Sequence, residues 1–190
     1  TGRVELFPFG RFKSLGDIAE GDFEREEHVK VLLAGAYSFN NKTNRLQGQN
    51  GAYIPNNELR DLNSYFVDFI LKYNGFAFYT DFMGRKYSEP LFTTDPETCI
   101  YTGNGLNVQA SYLFPKNWEV AVRNSTLFPE EQVQKIVGYE NYNQTTLAVT
   151  RYLIGHSLKI QADASYNHQL NPVDPTYNRW QFRFQVELGL

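Results

Sequence analysis

Charged and amide side chains fall at every second position near the end of the chain. Arg179, Gln181, Arg183, Gln185 and Glu187 alternate with Trp180, Phe182, Phe184, Val186 and Leu188. In an extended strand successive side chains point to opposite faces, so one face is polar and the other apolar. A polar face of this kind can pair charges, order water and guide polar solutes along a wall. Residues suited to bond-making chemistry are fewer. The histidines are His28, His156 and His168, and only His168 has Ser165 and Asp174 close by in sequence, as a rim hydrolase would need. There is no Gly-x-Ser-x-Gly elbow, no His-Glu-x-x-His and no phosphate loop. His168 therefore reads as a loop residue, and no catalytic, cofactor or metal residue is expected. The single cysteine, Cys99, excludes an internal disulfide framework and a cysteine metal cluster; it reads as an unpaired loop thiol, with a bond to another chain as the alternative.

The elements that must position such a wall are strands. Alternation recurs around Trp118–Arg123, Leu106–Tyr112, Tyr65–Tyr73, Phe76–Phe82 and Leu158–Ser165, and more weakly over 2–12, 29–40 and 145–153. This predicts nine strands at about 2–12, 28–40, 62–73, 75–84, 104–114, 117–127, 143–153, 157–167 and 178–190. Asn74-Gly75, Pro115-Lys116 and Gly155-His156 read as minimal hairpin turns. Long polar connections near 41–61, 85–103, 128–142 and 168–177 lie on the opposite side. The exception is 13–27, long yet on the short-turn side, with Asp17, Glu20, Asp22, Glu24, Glu26 and Glu27. It reads as a solvated acidic turn, with cation or periplasmic-protein binding as the sharper alternative.

An all-β chain of this pattern is either a soluble barrel with apolar residues inward or a membrane barrel with them outward. The net charge of −3 excludes a generally basic nucleic-acid binder, and no apolar run reaches the ~20 residues of a membrane helix. Aromatics make up 16% of the 190 residues, more than a soluble core calls for. Many lie near predicted strand ends, as interfacial girdles would: Phe7, Phe9, Phe12, Tyr73, Phe76, Tyr112, Phe114, Trp118, Tyr152, Tyr166 and Trp180. Arg151, on an apolar parity at the short-turn end, is placed to snorkel to headgroups. The membrane reading is the expectation. Nine up-and-down strands do not close an even-numbered barrel, so either the count is off by one strand or Thr1 lies in an outer loop, and the second is the expectation. The chain then reads as the C-terminal half of one barrel domain of about 16 strands, without internal boundary and partnered by its own N-terminal half.

Several motifs are similar to one known family. The opening Gly2-Arg3-Val4-Glu5-Leu6-Phe7-Pro8-Phe9-Gly10, followed by Gly16-Asp17 and Arg25-Glu26, resembles the middle of Bacteroidetes-type porins of the phosphate-selective porin O/P family. So do Lys72-Tyr73-Asn74-Gly75-Phe76, the run Gly103 to Ala110 with Tyr112-Leu113-Phe114, and Asn117-Trp118-Glu119-Val120. Arg151 to Asp163 resembles the penultimate hairpin and Arg183 to Leu188 the final strand. The resemblance implies an outer-membrane porin passing small hydrophilic solutes, anions such as phosphate among them, with outer-membrane lipid around it. By analogy it also implies a homotrimer; the alternative is a non-conducting barrel subunit in a larger envelope complex. The chain departs from the pattern in ending on Leu190 rather than an aromatic. Its inward parity also carries no basic ladder: Arg3, Lys30, Lys72, Arg123, Lys159, Arg179 and Arg183 stand against Glu5, Asp68, Asp81, Glu119, Asp163 and Glu187. The pore-lining candidates are those seven cations with Glu119, Asp163 and Glu187, expected to form a wall of mixed charge.

Overall fold

The alternation is realised as a single antiparallel meander. The computed structural model describes residues 1–14, 21–91, 99–135, 141–155, 157–169 and 177–189. Its strands are β1 (Gly2–Leu6), β2 (Lys30–Thr43), β3 (Arg45–Gln47), β4 (Asn50–Tyr53), β5 (Arg60–Tyr73), β6 (Phe76–Tyr87), β7 (Gly103–Phe114), β8 (Trp118–Pro129), β9 (Tyr142–Ile154), β10 (Leu158–Gln169) and β11 (Tyr177–Leu188). Nine form one sheet in the order β1-β2-β5-β6-β7-β8-β9-β10-β11, while β3 and β4 make a separate hairpin. Apart from the β3–β4 excursion between β2 and β5, each neighbour in the large sheet is also next along the chain, as an up-and-down layout requires. Among the described residues, β1 and β11 each pair with one strand, so the sheet has two open edges.

Turn chemistry explains the short connections. Asn74 and Gly75 both adopt positive φ, at 47° and 88°, which matches the right-handed twist of β5 and β6. A Cβ on Gly75 would lie 2.7 Å from the Leu113 carbonyl oxygen, so space as well as backbone favours glycine. The turn after β7 spans Pro115 to Asn117, one residue longer than expected, with Lys116 and Asn117 at positive φ. His156, and the 92–98, 136–140 and 170–176 parts of the long loops, lie outside the described residues, as do Asp17 and Glu20.

The first strand is much shorter than its expected 2–12 span. It ends at Leu6 because Pro8 has no N–H for the ladder, and the chain turns with the Gly10 amide donating to the Phe7 carbonyl. Phe7 and Phe12 then pack with Leu32, Ala34 and Ile70 instead of joining an aromatic girdle. At its other end β6 runs past the expected Gly84 to Tyr87.

The sheet curls with its polar parity on the concave side. On β10 Ser165 is 0% exposed, whereas Phe182, on the opposite parity of β11, is 75% exposed. The same inversion holds over β7, β8 and β9: Trp118, Val120, Val122, Leu147 and Val149 are exposed, and Gln109, Ser111, Glu119, Thr146 and Thr150 are buried. A soluble barrel of lipocalin type would bury the first group.

Candidate channel wall

Strand register turns the concave face into cross-strand rows. One row runs Leu113, Glu119, Thr150, Gln161, Gln185; the next runs Ser111, Ala121, Ala148, Asp163, Arg183; a third runs Gln109, Arg123, Thr146, Ser165, Gln181. The middle row is low where Ala121 and Ala148 meet, leaving a polar hollow of about 340 Å³ lined by Glu119, Arg123, Lys159, Asp163 and Arg183 among others. Its charges are paired. Arg183 Nε donates to Asp163 Oδ1 at 3.1 Å, Lys159 Nζ lies 3.1 Å from Glu187 Oε2, and Tyr152 donates its hydroxyl proton to Glu119 Oε2. Arg123 Nε donates to Gln109 Oε1 at 2.7 Å. These bonds cost little to keep in a polar groove, while an unpaired buried charge would cost several kcal/mol.

All ten candidate residues fall on the concave parity, but they do not form one site. Arg123, Lys159, Asp163, Arg183 and Glu119 share the hollow. Glu187 lies beside Lys159, and Arg179 sits on β11 opposite Asn167. Arg3 pairs with Glu5 and Asp68 at the β1 edge. Lys30 donates to the Phe9 carbonyl. Lys72 faces no open wall: it is 1% exposed, donates to the Gly21 carbonyl at 2.7 Å and stands over the Phe12 ring.

What covers Lys72 is the acidic connection, and here the solvated-turn expectation is corrected. Asp22 and Glu26 are each 1% exposed. The Asp22 carboxylate accepts from the backbone amides of Glu26 and Gly75, so it serves as an internal cap. Arg25 donates to the Leu113 and Asn74 carbonyls, and the Asn74 amide donates to the Glu26 carbonyl. Phe23 packs edge-on against Tyr152 at 5.2 Å, which removes Tyr152 from the expected girdle. Gly21 passes so close that an added Cβ would lie 2.4 Å from Glu119 Oε1. Residues 21–26 thus form a strap along the short-turn end of the concave face, touching β5, β7, β8 and β9. Short-range sequence patterns do not report such pairings, because the donors belong to strands far along the chain.

At the other end the first long loop folds inward. Ile54, Leu46 and Ile100 pack on concave-facing Leu62 and Tyr87, and the Tyr87 hydroxyl donates to the Arg45 and Leu46 carbonyls. Cys99 is buried nearby, its backbone bridged to Leu91, and burial pushes its thiol above the ordinary range. Tyr101 is pushed up in the same way, first by burial and then by Cys99. With the thiolate suppressed, maleimide labelling of Cys99 at pH 7.5 is expected to be at least about tenfold slower in the folded protein than after heating in SDS. Raising the pH should speed it only as the elevated value is approached. Equal rates in the two states would show an accessible thiol.

His168 faces the convex side and bonds Asn178, whereas Ser165 faces the concave side and bonds Thr146; Asp174 lies outside the described residues. No histidine–serine pair forms between these two. On the convex face the Arg151 guanidinium stacks over the Trp118 ring at 5.3 Å, with its Nη1 buried. Sequence reading missed Arg85 and Tyr87 as wall residues. The signal was present, since Arg85 and Tyr87 continue the inward parity of Asp81 and Met83 beyond Gly84. Compared with protein-family models, curated proteins and solved structures, the chain shows no significant match.

Proposed function

We propose that this chain is the C-terminal half of an outer-membrane porin of about 16 strands, which passes small hydrophilic solutes by passive diffusion. The observation that carries the reading is the inverted sheet: apolar side chains on the exposed convex face, amides and paired charges on the concave one. Aromatics supply a second support. Trp118 and Phe128 stand exposed at opposite ends of β8, ten residues apart. At ~3.3 Å per residue and a ~40° tilt their separation along the membrane normal is ~25 Å, the height of an outer-membrane apolar band. In this reading the open edges at β1 and β11 pair with further strands, since unpaired backbone groups are costly in lipid.

Charge pairing along the hollow favours weak ion selectivity. Arg183 is the wall cation most exposed to passing solute among those paired there, with its side chain 56% exposed beside a 4% exposed Asp163. Arg183→Glu removes a cation and sets a second carboxylate beside Asp163, so reversal potentials across a salt gradient should move toward cation preference. An unchanged reversal potential would remove Arg183 from the conducting path. A second reading has its own support: the strap and the inward-folded hairpin occupy concave space, as in a plugged structural barrel of a larger envelope complex. Planar-bilayer conductance together with the mass of the detergent-extracted particle separates the two. Discrete conductance steps support the porin; silence in a large mixed particle supports the structural subunit.

A further inference from the structure

Three apolar side chains stand on the polar side of the sheet. Phe66 on β5, Met83 on β6 and Leu127 on β8 occupy one cross-strand row, interrupted by Gly105 on β7. They are 36–44% exposed on the face whose rows across β7 to β11 carry amides and charges. A water-filled passage gains nothing from such a stripe, and exposed apolar surface of this kind ordinarily marks a contact. Between the three side chains lies a cavity of about 240 Å³, which Arg85, Tyr101 and Ser64 also line. Gly105 keeps it open: a Cβ there would lie 3.1 Å from Met83 Cγ and 3.3 Å from Leu127 Cδ2.

Arg85 completes the site. Among the described residues it has no hydrogen-bond or ion-pair partner, while Arg3, Arg123, Lys159 and Arg183 are all held by neighbours. A half-buried guanidinium beside an apolar slot matches an anion that carries an apolar group. Its planar fork suits a carboxylate, which accepts two parallel N–H bonds. The cavity is smaller than the ~300–1,000 Å³ of sites for drug-sized ligands, so the occupant is a single ring or a short alkyl chain. The geometry points to a subsite for small aryl or alkyl monocarboxylates at the long-loop end of the wall. It rests on the channel reading only for the route by which the ligand arrives.

The test is equilibrium dialysis of labelled phenylacetate against the detergent-solubilised full chain, read separately from conductance. Wild type should bind phenylacetate, and acetate or inorganic phosphate in equal amount should not displace it. Arg85→Gln should weaken binding about tenfold or more, as loss of a charge-assisted pair does. Gly105→Leu should abolish it by filling the slot, at the expense only of flexible side-chain ends. Absence of binding to wild type overturns the proposal, as does displacement by acetate or phosphate at equal concentration. So does undiminished binding in both variants. If either variant fails to show the heat-modifiable mobility of a folded barrel, the other decides. Binding in a protein that conducts no current would sink the channel reading and leave the subsite standing.

Discussion

Phe184→Arg should prevent stable insertion, or lower the unfolding free energy in bilayers by about 2–4 kcal/mol, whereas Gln185→Arg should change it by less than about 0.5 kcal/mol. The two positions are adjacent on β11 and point to opposite faces: Phe184 pairs with Ala162 on the convex parity, Gln185 with Gln161 on the concave one. Phe184 is 72% exposed. If lipid covers that face, the arginine must leave water or drag it inward, at a cost that is largest near the midplane. In a water-soluble sheet the difference disappears, since a charge is tolerated at either exposed position. Urea titration of the protein refolded into vesicles, followed by Trp118 and Trp180 fluorescence, measures both variants on one scale. Equal stabilities for the two would remove the membrane reading, and with it the porin.

The short β3–β4 hairpin in the 41–61 connection was not legible in the residues. The nine strands of the large sheet, their order and their faces were, because alternation is a local property with a period of two. The C-terminal strand shows why: Trp180 to Leu188 and Arg179 to Glu187 assign every side chain before any partner strand is known. The register then pairs Asp163 with Arg183 and Lys159 with Glu187, joining charges that the alternation had already put on one face. Legibility failed where geometry depends on distant segments. Phe7, Phe12 and Tyr152 counted as girdle aromatics by proximity to strand ends, but they turn inward to meet Ile70 and Phe23. Lys72 reads as a wall cation on parity alone; its burial comes from Gly21, 51 residues earlier. The candidate subsite was out of reach for a different reason. Its slot arises from a missing side chain at Gly105 in a row of large ones, and rows exist only once register is known.

The strap gives the second large effect. Asp22→Ala leaves the Glu26 and Gly75 amides without their acceptor in a buried setting, and each unpaired amide costs about 1–3 kcal/mol. The sum, roughly 2–4 kcal/mol after partial relaxation, is of the same order as the free energy that holds a short segment against a sheet. The variant should therefore release residues 21–26 before the sheet itself unfolds. Two readouts follow from that order of events. Backbone amides of Asn74 and Gly75 should lose hydrogen-exchange protection while those in the centre of β5 and β6 keep theirs. In the porin reading, single-channel conductance should also rise, because the strap leaves the wall beside Glu119 and uncovers Lys72. Glu24→Ala is the control: Glu24 lies in the same segment and is exposed, so its loss removes a charge without freeing the strap. Were conductance and exchange the same in both variants, the acidic connection would be a passive turn. If only Asp22→Ala changes them, the buried carboxylate is the fastening, and the charge count of the segment is incidental to how it is held.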